Sequence, residues 1–205
     1  MKIAIIGSGN VGSALASGFI KVNHQVMFGV RNPESAKTKK ALELMPSVSI
    51  LKIEEACEKS EVIIITTPAD SIIELIPFLG DLSGKIIIDT TNAVRTKPEP
   101  YPTAYHALKA ITKSEQVVKC FNSTGFENML NPIYQGKGID MFCAGNSKEA
   151  KHVATTLAKE IGFEECWDFG GDDKVELLEK FALSWINLAI MQGHGRNLAF
   201  KIHKR

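Results

Sequence analysis

The sequence predicts an α/β protein, a doubly wound and mostly parallel sheet with helices on both faces and a small C-terminal helical extension, on three observations. Short runs rich in Ile and Val alternate with longer stretches of helical periodicity, the order expected of strand-helix-strand units. Two of those runs, Val62-Ile63-Ile64-Ile65 and Ile86-Ile87-Ile88, lack polar alternation, which predicts central strands covered on both sides. A glycine string, Gly7-Ser8-Gly9-Asn10-Val11-Gly12, follows the first apolar run and opens a helical stretch, the start of a Rossmann-type unit.

Strands are expected at residues 2–6, 25–30, 48–51, 61–66, 85–89, 116–120, 139–143 and 163–168. The first helix should run from Val11 to Val22, with small residues at 12, 13, 14, 16, 17 and 18 that let it lie close to the sheet. Asn32-Pro33-Glu34 supplies a cap, a proline at the first helical position and an acid in the first turn, predicting a helix toward Leu44 that ends before Pro46. Asn146-Ser147-Lys148-Glu149 repeats that logic, with Asn146 as cap, for a helix to about Glu160 that stops at Gly162. A last helix should begin near Asp173 and bury Val175, Leu178, Phe181, Ala182, Trp185, Ile186 and Ala189 before Gly193 and Gly195 weaken it. The stretches 90–103 and 131–138, with their prolines and glycines, read as loops of one compact unit. Residues 1–171 are therefore expected to form the nucleotide-binding domain, with residues 172–205 as a helix and tail packed on it.

Composition narrows the partners. The chain has 205 residues, 44% hydrophobic and 23% charged, and a formal net charge of +1, so neither nucleic acid nor an anionic membrane is indicated. No apolar run is long enough to span a membrane or to serve as a secretory signal. The four cysteines, at 57, 120, 143 and 166, are far apart in sequence and suggest neither a metal site nor a disulfide framework, which points to a reducing cytoplasm.

The glycine string carries the chemistry. Gly7 allows a tight turn, Gly9 lets the backbone approach a diphosphate, and Gly12 permits helix-to-strand contact, while the helix start offers free N–H groups to the anion. The second strand then decides the nucleotide. An NAD site places an acid at its end to bind the ribose hydroxyls, but here Gln25–Val30 ends in Arg31-Asn32, with no acid before Glu34. Arg31 suits a 2′-phosphate and Lys37 adds charge, so NADP(H) is the expected cofactor. Thr66-Thr67-Pro68 and Asp89-Thr90-Thr91-Asn92 end the next two central strands and should line the nicotinamide ribose.

With Gly29-Val30-Arg31-Asn32-Pro33 and Val117-Val118-Lys119-Cys120-Phe121-Asn122-Ser123-Thr124-Gly125 added to the glycine turn, the chain resembles the NADP-dependent oxidoreductases of the coenzyme F420 type. The resemblance extends through Asp140-Met141-Phe142, Gly145-Asn146, Trp185 and Ala199-Phe200-Lys201, and the cytosolic reductase domain of six-transmembrane metalloreductases looks similar too. It implies hydride transfer between NADPH and coenzyme F420 or a flavin as second substrate. It places the diphosphate at Ser8, Asn10 and Val11, the 2′-phosphate at Arg31, the nicotinamide ribose at Thr67 and Pro68, and the acceptor ring beside Asn122, Ser123, Thr124 and Gly125. Family members with deazaflavin activity carry a bulky aromatic after the proline and a histidine near the asparagine, where this chain has Ala69 and Asn122.

Transfer between stacked rings requires positioning rather than a protein acid, which suits a chain whose histidines, at 24, 106, 152, 194 and 203, are scattered. An alternative is a ketone or imine reductase of the hydroxyacid dehydrogenase or pyrroline-carboxylate reductase type. It requires a proton donor, with Lys119 or His194 as candidates, and a larger helical domain than the roughly 35 residues after Gly171. A non-catalytic NADP(H) sensor is the third possibility. The apolar face of the last helix, with Phe181 and Trp185, also suggests a homodimer.

Overall fold

The computed structural model describes residues 1–35, 47–94 and 96–205. Its main sheet is built from β1 (Lys2–Ile6), β2 (Gln25–Val30), β3 (Ser49–Lys52), β4 (Val62–Ile65), β5 (Ile86–Asp89), β6 (Val117–Cys120), β9 (Met141–Ala144) and β10 (Cys166–Asp168). A two-stranded hairpin, β7 (Ile133–Tyr134) and β8 (Lys137–Gly138), stands apart from it. The order across the sheet is β10-β9-β6-β5-β4-β1-β2-β3. All neighbours are parallel except β6 and β9, so the mostly parallel expectation holds. The Ile-rich strands β4 and β5 occupy the middle, as their apolar runs Val62–Ile65 and Ile86–Ile88 require.

Side chains alternate across the pleat and divide the core in two. Ile3 and Ile5 face one layer with Phe28, Ile64 and Ile88, against α1 (Asn10–Lys21), α5 (Phe126–Leu130) and α6 (Lys148–Glu160). Ala4 and Ile6 face the other with Ile63, Ile65 and Ile87, against α2 (Ile53–Glu58), α3 (Ile72–Leu75), α4 (Ala104–Thr112) and α7 (Val175–Ile186). The chain runs outward from β1 through β2 to β3, then crosses back to β4 on the other side of β1. That reversal opens a crevice at the carboxyl ends of the strands, where ligands of such sheets bind.

Several local expectations shift. Ser147, not Asn146, caps α6 through a 3.0 Å bond from the Ala150 N–H, and Asn146 instead exchanges bonds with Asp172. Stretch 131–138 is not all loop: Gln135 and Gly136, with φ of 50° and 80°, turn it into the hairpin. The helix expected after Asn32 falls on residues outside the described ones, although Asn32 does accept a 3.0 Å bond from the Glu34 N–H. The last helix continues from α7 into a π-helical turn over Asn187–Met191, and the following tail turns back on the molecule. The Leu198 carbonyl accepts from Trp185 Nε1 at 2.6 Å, and Asp140 accepts from Lys201 Nζ and the Ile202 N–H, both at 2.8 Å.

The cysteines correct a sequence-distance argument. Cys120, Cys143 and Cys166 lie on three adjacent strands of one layer, with Sγ atoms of Cys120 and Cys166 only 4.0 Å apart. All four thiols are free and buried, and burial pushes Cys57 up to about 12. Among the described residues no group of three His, Cys, Asp or Glu side chains is arranged to hold a metal ion. Among them, too, no helix is long and apolar enough to cross a membrane.

Candidate functional site

The turn between β1 and α1 is held by its glycines. Gly7 has φ of +111°, and a Cβ on it would sit 2.9 Å from Thr66 Oγ1. A Cβ on Gly12 would meet the Gly7 carbonyl at 2.2 Å and Thr66 Oγ1 at 2.9 Å, so the helix can approach the turn only with glycine there. Thr66 locks the arrangement from β4, its hydroxyl donating to the carbonyls of Ile6 and Gly7 at 3.0 Å each. Gly9 differs: it caps α1 with φ of −79°, and a Cβ there would meet nothing within 4 Å. The first intrahelical bond is Ser13 N–H to Gly9 carbonyl, so the amides of Asn10, Val11 and Gly12 precede it, with no side-chain cap and no acid in the first turn. Such a terminus favours an anion.

Two clefts meet at this turn. One, of about 420 Å³, is lined by Gly7, Ser8, Arg31, Asn32, Thr67 and Pro68, together with the ends of α2 and α3. The other, of about 500 Å³, lies between the same turn and the ends of β4 and β5, with Gly9, Val11, Thr66, Thr90, Thr91 and Asn92 on its walls. Gly7, Ser8, Thr67 and Pro68 belong to both, giving a continuous trough with a glycine turn at its centre. Its length and division suit a molecule of two nucleoside halves joined by a diphosphate.

In and behind the walls of these clefts the fold leaves buried polar atoms unpaired. Thr67 Oγ1, Thr91 Oγ1 and Asn122 Oδ1 have no hydrogen-bond partner, a cost of about 1–3 kcal/mol each that a polar ligand would relieve. Asn92 and Asn122 brace one another across the wall: Asn92 Nδ2 donates to the Asn122 carbonyl at 2.8 Å, and Asn122 Nδ2 to Asn92 Oδ1 at 3.0 Å.

Most expected site residues therefore converge, but not all. Lys37 lies outside the described residues. Gly12 is buried beneath the turn, and Asn10 is exposed at the helix start. Beyond Asn122 the predicted acceptor wall turns inward: Ser123 Oγ contacts Met141 Sδ at 3.4 Å, Thr124 Oγ1 accepts from Asn128 Nδ2 at 2.7 Å, and Gly125 backs onto Trp185. Lys119, a candidate proton donor, is wholly buried; its ammonium donates to Asp89 Oδ2 (2.8 Å) and the Thr91 carbonyl (2.7 Å) and forms an ion pair with Glu179 Oε1 (2.5 Å). Burial opposes its charge, but the carboxylates of Asp89 and Glu179 outweigh that and hold its pKa above the usual lysine range. Its ammonium is buried and lines neither cleft. His194 is exposed in the tail.

Two site residues were invisible in the sequence. Glu74, on α3, reaches Arg31 at 3.5 Å, and Glu179, on α7, accepts the Ala93 N–H at 2.8 Å. Both are brought in by helices more than 40 residues away, and no local motif marks either.

Comparison with known proteins agrees with this geometry. Residues 2–93 match the family model described as NADP oxidoreductase, coenzyme F420-dependent. An F420-dependent NADP reductase of Methanocaldococcus jannaschii is 28% identical over 212 residues, covering 93% of each chain. A solved structure from Arthrobacter sp. FB24, provisionally named an F420-dependent NADP-reductase, superposes with a TM-score of 0.88 at 26% identity, over 100% of both chains. Metalloreductase STEAP3 of Rattus norvegicus is 27% identical over 79% of this chain, which spans only 32% of that protein. The resemblance read from the glycine turn and the Val117–Gly125 string thus holds.

Proposed function

We propose that this chain, a relative of the F420-dependent NADP reductases, is an NADP(H)-dependent oxidoreductase that transfers a hydride between NADPH and a deazaflavin or flavin-like acceptor. The observation that carries the reading is the trough: two clefts joined at a glycine turn, with an arginine at one end and unpaired polar atoms at the other. Bound there, NADPH supplies the hydride from its nicotinamide ring.

The residues divide the work by position. Gly7 makes the turn, its N–H donating to the Gly29 carbonyl, and Ser8, Gly9, Asn10, Val11 and Gly12 present backbone amides and the α1 dipole to the diphosphate. Arg31, with Asn32 beside it on the first cleft, receives the 2′-phosphate, and Lys37, outside the described residues, is expected from the sequence to add charge. Thr66, Thr67, Pro68 and Asn92 border the ribose and nicotinamide of the second half, and Asn122, ahead of Ser123, Thr124 and Gly125, fixes the wall toward the acceptor. None of these side chains moves a proton in the transfer; their contribution is orientation and exclusion of water. The reading includes a cytoplasmic location, supported by the four free thiols. It also includes one compact unit of residues 1–171 and 172–205, supported by Val175 and Leu178 packing with the sheet core. A homodimer through the last helix completes it, supported by the exposed Leu183, Ile190 and Met191.

The test is NADPH oxidation with coenzyme F420, FMN, ferric chelates and small ketones in turn. Bleaching of F420 or FMN is the expected result. Turnover with a ketone alone would favour the ketone or imine reductase, which Lys119 cannot serve as donor. Tight NADPH binding with no turnover on any acceptor would favour the sensor.

A further inference from the structure

The chain around Thr91–Ala93 is held by bonds to the Thr91 N–H and carbonyl, to the Asn92 side-chain amide and to the Ala93 N–H. The Thr91 N–H donates to Asp89 Oδ1 at 2.9 Å, and its carbonyl accepts from Lys119 Nζ at 2.7 Å. The Asn92 amide is braced by Asn122, and the Ala93 N–H donates to Glu179 Oε2 at 2.8 Å. One ammonium between two carboxylates unites these bonds, and Lys119 and Asp89 are both 0% exposed. Removing three charges from water costs several kcal/mol per ion unless geometry and hydrogen bonds repay it, so an apolar cluster would hold the helix on the sheet as well. What an apolar cluster cannot do is orient two N–H groups and a carbonyl of one turn. That turn presents Thr91 and Asn92 to the second cleft, including the unpaired Thr91 Oγ1.

We infer that Glu179, acting with Lys119 and Asp89, is a positioning residue for the nicotinamide half of the cofactor: its carboxylate, carried on the C-terminal helix, fixes the Thr91–Ala93 turn that lines that half of the trough. The inference rests on the NADP(H) reading above. It makes the C-terminal helix part of the cofactor site without any contact between its side chains and the cofactor, because Glu179 reaches the turn only through the Ala93 N–H and Lys119.

The two halves of the trough allow a test in which fold, cofactor reading and positioning separate. Affinities for NADP⁺ and for 2′,5′-ADP, which has the adenosine half and its 2′-phosphate but no nicotinamide, are measured by calorimetry on the wild type, Glu179→Gln and Glu179→Met. Met keeps the volume but removes both oxygens, and Gln keeps one acceptor for the Ala93 N–H. The expected result is NADP⁺ binding weakened about tenfold in E179M and by less in E179Q, with 2′,5′-ADP affinity within about twofold of wild type in both. In turnover, kcat should fall in the same order while the KM of the acceptor stays within about twofold. Unchanged NADP⁺ affinity in both variants, or equal weakening of both ligands, would overturn the inference, because a purely structural residue acts on both halves alike or on neither. Failure of the wild type to bind either ligand would instead defeat the cofactor reading itself, and the inference with it.

Discussion

Arg31 and Glu74 face each other across the mouth of the first cleft, guanidinium to carboxylate at 3.5 Å. The second strand ends without the acid that a ribose hydroxyl would need, yet the fold returns an acid to its arginine from a helix beyond β4. With side chains 61% and 76% exposed, the pair is screened by water and contributes about 0–1 kcal/mol. It is weak enough for a phosphate to replace.

The two residues should therefore affect cofactor choice in opposite directions. Arg31→Asp removes a charge-assisted contact and adds repulsion, so NADP⁺ affinity should fall by about 10²-fold with NAD⁺ affinity little changed. Glu74→Gln removes the competitor for the guanidinium and should improve NADP⁺ affinity by about two- to fivefold. Parallel titrations with both nucleotides check this, and an unchanged NADP⁺/NAD⁺ ratio in R31D would remove the assignment of the 2′-phosphate.

Gly9 and Gly12 should separate binding from stability. A methyl on Gly12 would fall 2.2 Å from the Gly7 carbonyl, a backbone atom that cannot move aside, so Gly12→Ala should cost about 2–4 kcal/mol. For a chain of this size that is a Tm loss of about 4–16 °C. A methyl on Gly9 meets nothing within 4 Å, and its φ of −79° suits alanine, so G9A should melt within about 2 °C of wild type. That methyl would occupy the approach to the first helix amides, and NADP⁺ affinity should fall about tenfold or more. Equal Tm values for the two variants would contradict the geometry of the turn.

The contrast between these glycines explains what the sequence made legible. The central strands and the glycine turn were readable because each rests on local pattern: apolar Val/Ile runs mark β4 and β5 as central, and Gly-x-Gly-x-x-Gly after a strand marks the turn. Arg31 and Asn92 were readable because they follow strands whose ends must share one edge. Glu74 and Glu179 were not, since an acid on a helix looks like a solvated face until packing sets its neighbours. The same limit hid the closeness of Cys120, Cys143 and Cys166, whose separation of more than 20 residues along the chain vanishes when β9 runs antiparallel beside β6 and β10 pairs with β9. The surroundings of Ser123 and Gly125 were hidden for a different reason. Phe121, buried with φ of +63°, turns the chain after β6, and Ser123 and Gly125 beyond it are buried while Thr124 is half-buried.

Asp140 gives the structure a dependence on acid that one substitution should expose. Its carboxylate, 1% exposed, accepts from Lys201 Nζ, the Ile202 N–H and Trp167 Nε1, all at 2.8 Å, and so ties the tail to the start of β9. Burial by itself raises the pKa of Asp140, but these three hydrogen bonds and the Lys201 charge outweigh it and hold the carboxyl below its usual value. A group whose pKa is depressed on folding stabilises the folded state above its unfolded pKa, near 3.9 for aspartate, and that stability is lost as pH falls through the folded value. Melting temperature should therefore change little between about pH 7 and 5 on this account and fall steeply below about pH 4. Asp140→Asn, which keeps an acceptor but loses the charge, should cost about 1–3 kcal/mol at neutral pH and show a shallower decline in acid. Because Lys201 and Ile202 lose their anchor, the same variant should be cut more rapidly by trypsin after Arg196 or Lys201. A Tm profile parallel to that of the wild type down to pH 3 would mean that Asp140 is not the group whose protonation loosens the tail.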